Sequence, residues 1–279
     1  MPYTAEISRS NPSCLLFLID RSGSMEDPFG AGDGKSKADG VADAINRLLQ
    51  NLVIKCAKSE GVRDYYHVGV IGYGGSTVGP AFGGELAGRD LVPISELAEK
   101  PERIEERSRK MDDGAGGLVE QSVKFPVWFD AVARGGTPMC EALSQAERLV
   151  SGWTAQHPDS FPPIVINITD GESTDGNPTG AADRIRSLQS ADGSPLLFNL
   201  HLSSQRAAPV EFPSEESGLP DQHARLLFGM SSPLPDHIRD AARQDGYSVG
   251  DGARGFVFNA DMVSVIRFLD IGTRPANLR

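Results

Sequence analysis

The sequence predicts an α/β fold: a doubly wound, mostly parallel sheet flanked by helices, with one antiparallel edge strand. Three observations carry this. Short apolar runs recur at residues 14–19, 67–73, 164–169, 196–202 and 255–258. Stretches with helical spacing of apolar residues lie between them, and strands alternating with helices imply a parallel sheet. Two of the runs end in a carboxylate, Asp20 and Asp170, at the carboxyl ends of strands where ligands of such sheets gather.

The elements follow in order. Residues 14–19, Cys-Leu-Leu-Phe-Leu-Ile, are continuously apolar, as a strand buried on both faces requires. After a Gly- and Asp-rich loop come Ala38, Val41, Ala42, Ile45, Leu48, Leu49, Leu52, Val53 and Cys56. Their spacing of three and four residues marks the first crossover helix. Residues 67–73 read as a buried strand, and the Gly-rich stretch 74–88 as a turn into an edge strand near 85–92. Residues 138–150 and 181–190 read as helices on either side of the central strand 164–169, and 196–202 as the next strand. The strand at 255–258 precedes a helix capped by Asp261 and running to about Leu269.

The chemistry concentrates at three places. Asp20-Arg-Ser22-Gly-Ser24 puts one carboxylate and two hydroxyls on the loop after the first strand; Thr137 lies in Arg134-Gly-Gly-Thr-Pro-Met139; Asp170 opens Asp-Gly-Glu172. Oxygen donors converging in this way suit a hard divalent cation. Each piece alone has a plainer reading: serines satisfying a turn, a threonine capping a helix that starts with proline, an ordinary Asp-Gly turn.

Taken together, the three pieces resemble the metal-ion-dependent adhesion site of von Willebrand factor type A domains, which carry Asp-x-Ser-x-Ser after the first strand, a Thr on a second loop and an Asp after the fourth strand. The resemblance covers most of the chain and implies a metal site at Asp20, Ser22, Ser24, Thr137 and Asp170. It further implies that the hydroxyls are direct or near-direct ligands and that the two aspartates often act through water. Mg2+ is the favoured ion, with Mn2+ and Ca2+ as alternatives. Two carboxylates only balance the ion's charge, so an open position attracts an Asp or Glu from a partner protein. The function so implied is a metal-dependent protein-interaction module, not an enzyme. A bacterial cytoplasmic member is expected, of the kind linked to tellurium resistance and stress signalling, in which ion binding could shift the final helix.

Enzyme readings fare less well. Gly34-Lys35-Ser36 looks like the end of a phosphate-binding loop, but the first glycine it needs falls on Phe29. Asp20 as a phosphoaspartyl nucleophile wants a second acid where Ser22 stands. Ser22 or Ser24 as a nucleophile needs a base, and His67, His157, His201, His223 and His237 show no spacing that supplies one; His201 alternates within a strand and reads as structural. The surviving alternative is a metal-dependent hydrolase of nucleotides or phosphate esters using the same cluster.

Composition sets outer bounds. With 279 residues, 39% of them hydrophobic, the chain reads as one domain over 1–279, with insertions at about 93–134 and 205–235. A net charge of −11 and a pI near 4.9 argue against nucleic-acid and anionic-membrane partners. Three scattered cysteines read as reduced thiols, and the absence of a leader or an 18-residue apolar run leads to a cytoplasmic expectation. Within the insertions, the mixed-charge run 102–110 reads as a solvated helix face. Phe125, Trp128 and Phe129 read as core or as a rim facing a partner. The first insertion also contains Gly114-Ala-Gly-Gly117, and 205–235 reads as a long loop rich in Pro, Ser and charge. Partner identity and oligomeric state are not encoded in any motif.

Overall fold

In the computed structural model, which describes residues 2–29, 34–75, 77–112, 118–202 and 209–273, the chain forms a doubly wound α/β sandwich. In chain order the strands are β1 (Ser13–Asp20), β2 (Ala57–Lys58), β3 (Gly61–Val62), β4 (Tyr66–Gly74), β5 (Thr77–Pro80), β6 (Val92–Pro93), β7 (Arg103–Asp112), β8 (Leu118–Val127), β9 (Ile164–Thr169), β10 (Leu196–Leu202), β11 (Val210–Glu211) and β12 (Phe256–Ala260). The helices are α1 (Lys37–Cys56), α2 (Ile94–Glu99), α3 (Met139–Gln156), α4 (Thr179–Ser187), α5 (Gln222–Met230), α6 (Asp236–Gln244) and α7 (Met262–Gly272).

The main sheet runs β11-β12-β10-β9-β1-β4-β5, and its five central strands are mutually parallel. From β1 the chain first moves outward to β4 and later returns to the other side of β1 as β9. The order therefore reverses between β1 and β9, the switch point at which doubly wound sheets open a crevice. Ile19 aligns with Ile168, so Asp20 and Asp170 leave the sheet side by side.

Alternate side chains of the buried strands feed two cores. Leu15, Phe17 and Ile19 pack with Val41, Ile45, Leu49 and the α7 residues Val265 and Phe268 on one face. Leu16, Leu18 and Val165 pack with Met139, Leu143, Ile185 and Leu227 on the other. On the second face a chain of buried polar groups links three strands to Ser231, the residue that follows α5. The Tyr73 hydroxyl donates to Asn167 Oδ1 at 2.6 Å, Asn167 Nδ2 to Asn199 Oδ1 at 3.0 Å, and Asn199 Nδ2 to Ser231 Oγ at 3.0 Å.

Several expectations are corrected. The antiparallel edge next to β4 is β5 at Thr77–Pro80; residues 84–86 form a 3-10 turn, and only Val92–Pro93 of the expected segment pairs back, against His67 and Val68. A second antiparallel strand, β11, closes the opposite edge. The charged run is not a helix face: β7 and β8 form a long antiparallel hairpin. Its charges obey a period of two, with Glu105 accepting from both Arg103 and Arg107, and the Arg107 guanidinium lies 3.7 Å from the Phe125 ring centre. The core reading of Phe125, Trp128 and Phe129, by contrast, holds, since all three are buried. Asn46 of α1 ties the hairpin's exit to the sandwich, accepting from the Trp128 amide at 2.9 Å and donating to the Phe129 carbonyl at 3.1 Å. The segment 205–235 is not one loop, since it contains β11 and α5, the latter capped by Asp221. Residues 114–117 lie outside the described residues. The three cysteines are unpaired, and no helix among the described residues is long and apolar enough to cross a membrane.

Candidate metal site

The five residues singled out in the sequence come together at the carboxyl ends of β1 and β9. Asp20 is the last residue of β1 and is fully buried. Its Oδ1 accepts from the Ser22 amide at 2.8 Å and its Oδ2 from the Thr169 hydroxyl at 2.6 Å. Burial pushes its carboxyl above the usual carboxylate range, against the opposing pull of the Thr169 and Ser22 hydrogen bonds. With both oxygens engaged by the fold, Asp20 orients the loop, a role compatible with ligation through water.

From Asp20 the hydroxyls lead outward. Ser22 Oγ lies 3.1 Å from Ser24 Oγ, and Ser24 Oγ donates to Asp170 Oδ1 at 2.7 Å. Neighbouring ligands around an octahedral ion at about 2.1 Å stand about 3.0 Å apart, so the Ser22–Ser24 and Ser24–Asp170 hydrogen bonds hold their oxygens near the separation that cis ligands of Mg2+ adopt. Ser22 is buried and Ser24 is exposed, giving the cluster one face open to solvent.

Thr137 is brought in by its loop. Its amide donates to Thr174 Oγ1 at 2.9 Å, and the Thr174 amide donates to the Thr137 carbonyl at 2.9 Å, clamping the loops before α3 and after β9. A side chain at Gly171 would start 3.6 Å from Thr137 Oγ1 and 3.9 Å from Ser24 Oγ, so glycine leaves open the space these hydroxyls border. The N-terminus of α3 is capped by Asp175 and not by Thr137: Asp175 accepts from the Cys140 amide at 3.0 Å and the Glu141 amide at 2.9 Å. Burial alone would raise the Asp175 carboxyl, but these amides and the Ser173 hydroxyl outweigh it and hold it below its ordinary value. Capping therefore makes no claim on the Thr137 hydroxyl.

The donor set suits a hard divalent ion in element type, spacing and open face. No cluster of three His, Cys, Asp or Glu side chains suited to a metal occurs among the described residues, so any ion here would depend on hydroxyls.

Two neighbours were not anticipated. Lys37, the first residue of α1, extends a buried side chain whose ammonium donates to Asp170 Oδ2 at 2.7 Å. The signal was present, since a lysine in the first turn of a helix faces the positive end of the helix dipole. The other is His201, which aligns with Thr169 across β10 and β9. It stacks on Phe258 at 4.4 Å, and its Nδ1 accepts from the Asn259 amide at 3.4 Å. Burial, with His223 and Lys37 adding to it and Asp170 opposing, pulls its pKa down to about 4. His223 lies 5.6 Å away, whereas His67, His157 and His237 belong to other surroundings, packed against Trp153, Trp153 and Phe161. Beside the Asp170 loop opens a cleft of about 420 Å³ bordered by Met139, Glu172, Ser173, Asn177, His223 and Leu226.

No protein-family profile and no curated protein matches the chain. Among solved structures, it is similar to the vWF domain of the type V pili tip protein Mfa5 from Porphyromonas gingivalis, at 13% identity and TM-score 0.33, covering 58% of this chain and 39% of that one. A structure of three N-terminal domains of the same protein aligns at 13% identity and TM-score 0.33, over 58% of this chain and 20% of that one. The pilus adhesin RrgA from Streptococcus pneumoniae aligns at 12% identity and TM-score 0.32, over 92% of this chain and 35% of that one. The chain thus spans well under half of each of these longer chains. The class defined by fold and site is a doubly wound α/β domain with an acid–hydroxyl cluster at its switch point.

Proposed function

We propose that this protein is a von Willebrand factor type A-like module that binds a divalent cation, Mg2+ by preference, through Ser22, Ser24, Thr137, Asp170 and, by way of water, Asp20. The ion would present an open position to an Asp or Glu of a partner protein. One observation carries this reading: the run Ser22 Oγ, Ser24 Oγ, Asp170 Oδ1 at 3.1 and 2.7 Å, set at the topological switch point. The adjoining cleft supplies a surface where the rest of the partner could rest.

Binding in place of turnover is supported by His201. His201, aligned with Thr169 by register, is stacked on Phe258 and accepts from a backbone amide, a structural use. The proposed setting is the bacterial cytoplasm, which three unpaired cysteines suit.

The test is calorimetric titration of chelator-stripped protein with Mg2+ and Mn2+, with a nucleotide-hydrolysis control. Asp20→Ala, Thr137→Ala and Asp170→Ala are each expected to weaken the ion about 10- to 100-fold while the fold persists. Undiminished affinity in all three, or clear nucleotide turnover, would overturn the reading.

A further inference from the structure

Lys37 is an anomaly on three counts. Its ammonium is buried, and buried lysines persist only with a partner. It sits at the positive end of α1, where a cation is disfavoured. Its partner, Asp170, is one of the two carboxylates on which the proposed ion depends. An ammonium 2.7 Å from Asp170 Oδ2 satisfies the same charge that a divalent ion would.

A second carboxylate is within reach. Asp27 Oδ2 lies 3.6 Å from Lys37 Nζ on the solvent side, its side chain 58% exposed, and the Ser24 carbonyl is 3.5 Å from the same nitrogen. The backbone fixes this second seat, because the Lys37 amide donates to the Asp27 carbonyl at 3.0 Å and the Ser36 capping box anchors the helix start. Charges balance only when the ion is bound. Without the ion, the ammonium rests on Asp170. With it, Asp20, Asp27 and Asp170 offer three negative charges to one ammonium and one divalent ion, provided the ammonium moves to Asp27. Were it to stay on Asp170, a cation would be pressed against a metal ion in a buried site, which is strongly unfavourable.

We infer that Lys37 is a tethered cation that holds Asp170 in the ion-free protein and hands it to the entering divalent ion by swinging to Asp27. The lysine would thereby lower the affinity of the site and keep the ion-free loops assembled. This inference rests on the metal-site reading above, and its test separates the two.

Mg2+ and Mn2+ are titrated calorimetrically into the whole chelator-stripped protein, its Lys37→Met and its Asp27→Asn variants, and thermal unfolding of each is followed in chelator and in excess Mg2+. Lys37→Met is expected to bind the ion about tenfold tighter or more, in line with couplings of close charge pairs. It should also unfold at a lower temperature than the parent in chelator and recover in Mg2+. Asp27→Asn, which removes the second seat, should bind the ion several-fold more weakly. Equal affinities in parent and both variants would overturn the tethered-cation inference and leave the metal site standing; no binding in any of the three would remove both. If Lys37→Met fails to fold, Asp27→Asn alone decides: unchanged affinity refutes the swing.

Discussion

The crevice end of the sheet and the β7–β8 hairpin both carry dense polar groups, yet they use them in opposite ways. At the crevice, Asp20, Ser22, Ser24 and Asp170 engage one another, the Thr169 hydroxyl and the backbone over distances of 2.6–3.1 Å, and Asp20 and the Asp170 side chain are shut away from solvent. On the hairpin, Arg103, Glu105 and Arg107 form a ladder that solvent reaches. Few polar contacts in a dry place are worth more than many in a wet one, because an orphaned buried group costs its full desolvation while an exposed ion pair is screened.

The junction between the two regions offers the largest effect. Asn46→Ala removes both anchors of the hairpin's exit and leaves the Trp128 amide and Phe129 carbonyl buried without a partner. It is expected to lower stability by about 3 kcal/mol in urea unfolding. A loss below about 1 kcal/mol would show that the hairpin's base is not fastened there.

Acid should act on the crevice end next. All five histidines have lowered pKa values, led in each case by burial, and His201 falls to about 4. A base whose folded pKa is depressed binds its proton more readily in the unfolded chain. The stability it contributes is therefore present above about pH 6.5 and is lost as pH falls toward 4. For His201 the loss is at most about 3 kcal/mol. Asp20, with its raised carboxyl, works in the opposite direction over the lower part of this range. His201→Gln should flatten the decline in melting temperature between pH 6.5 and 4; an unchanged slope would assign the acid sensitivity elsewhere.

The smallest effect belongs to the ladder. Arg107→Ala breaks its pairs with Glu105 and Asp43 and its contact with Phe125, and should cost less than about 1 kcal/mol, shrinking further in high salt. Metal affinity should not change, and a marked change would mean that the hairpin and the crevice communicate.

The same contrast explains what could be read from the sequence. The crevice was legible because its residues sit at fixed offsets from buried strands, so Asp20 and Asp170 could be placed from the apolar runs before them. The hairpin was misread because a run of alternating charges has no apolar face, and the pairing of residues 103 and 127 is invisible to a local window. Helix α6, between Pro235 and Gly246, went unread because prolines and charges masked its apolar positions Ile238, Ala241 and Ala242. Lys37 was passed over because the spacing that identifies α1 counts only apolar positions.

The hydrogen-bonded row from Tyr73 through Asn167 and Asn199 to Ser231 bears on how the crevice is built. Parallel strands packed by aliphatic side chains alone could slide past one another at modest cost. A slip of one residue would move Asn167 by about 3.3 Å and turn it to the opposite face, orphaning its neighbours in the row. The row therefore acts as a ruler laid across β4, β9 and β10, holding the strand ends level. The height at which Asp170 emerges from β9 is thus set by polar groups deep in the sheet, so part of the site's dimensions belongs to the scaffold beneath the loops.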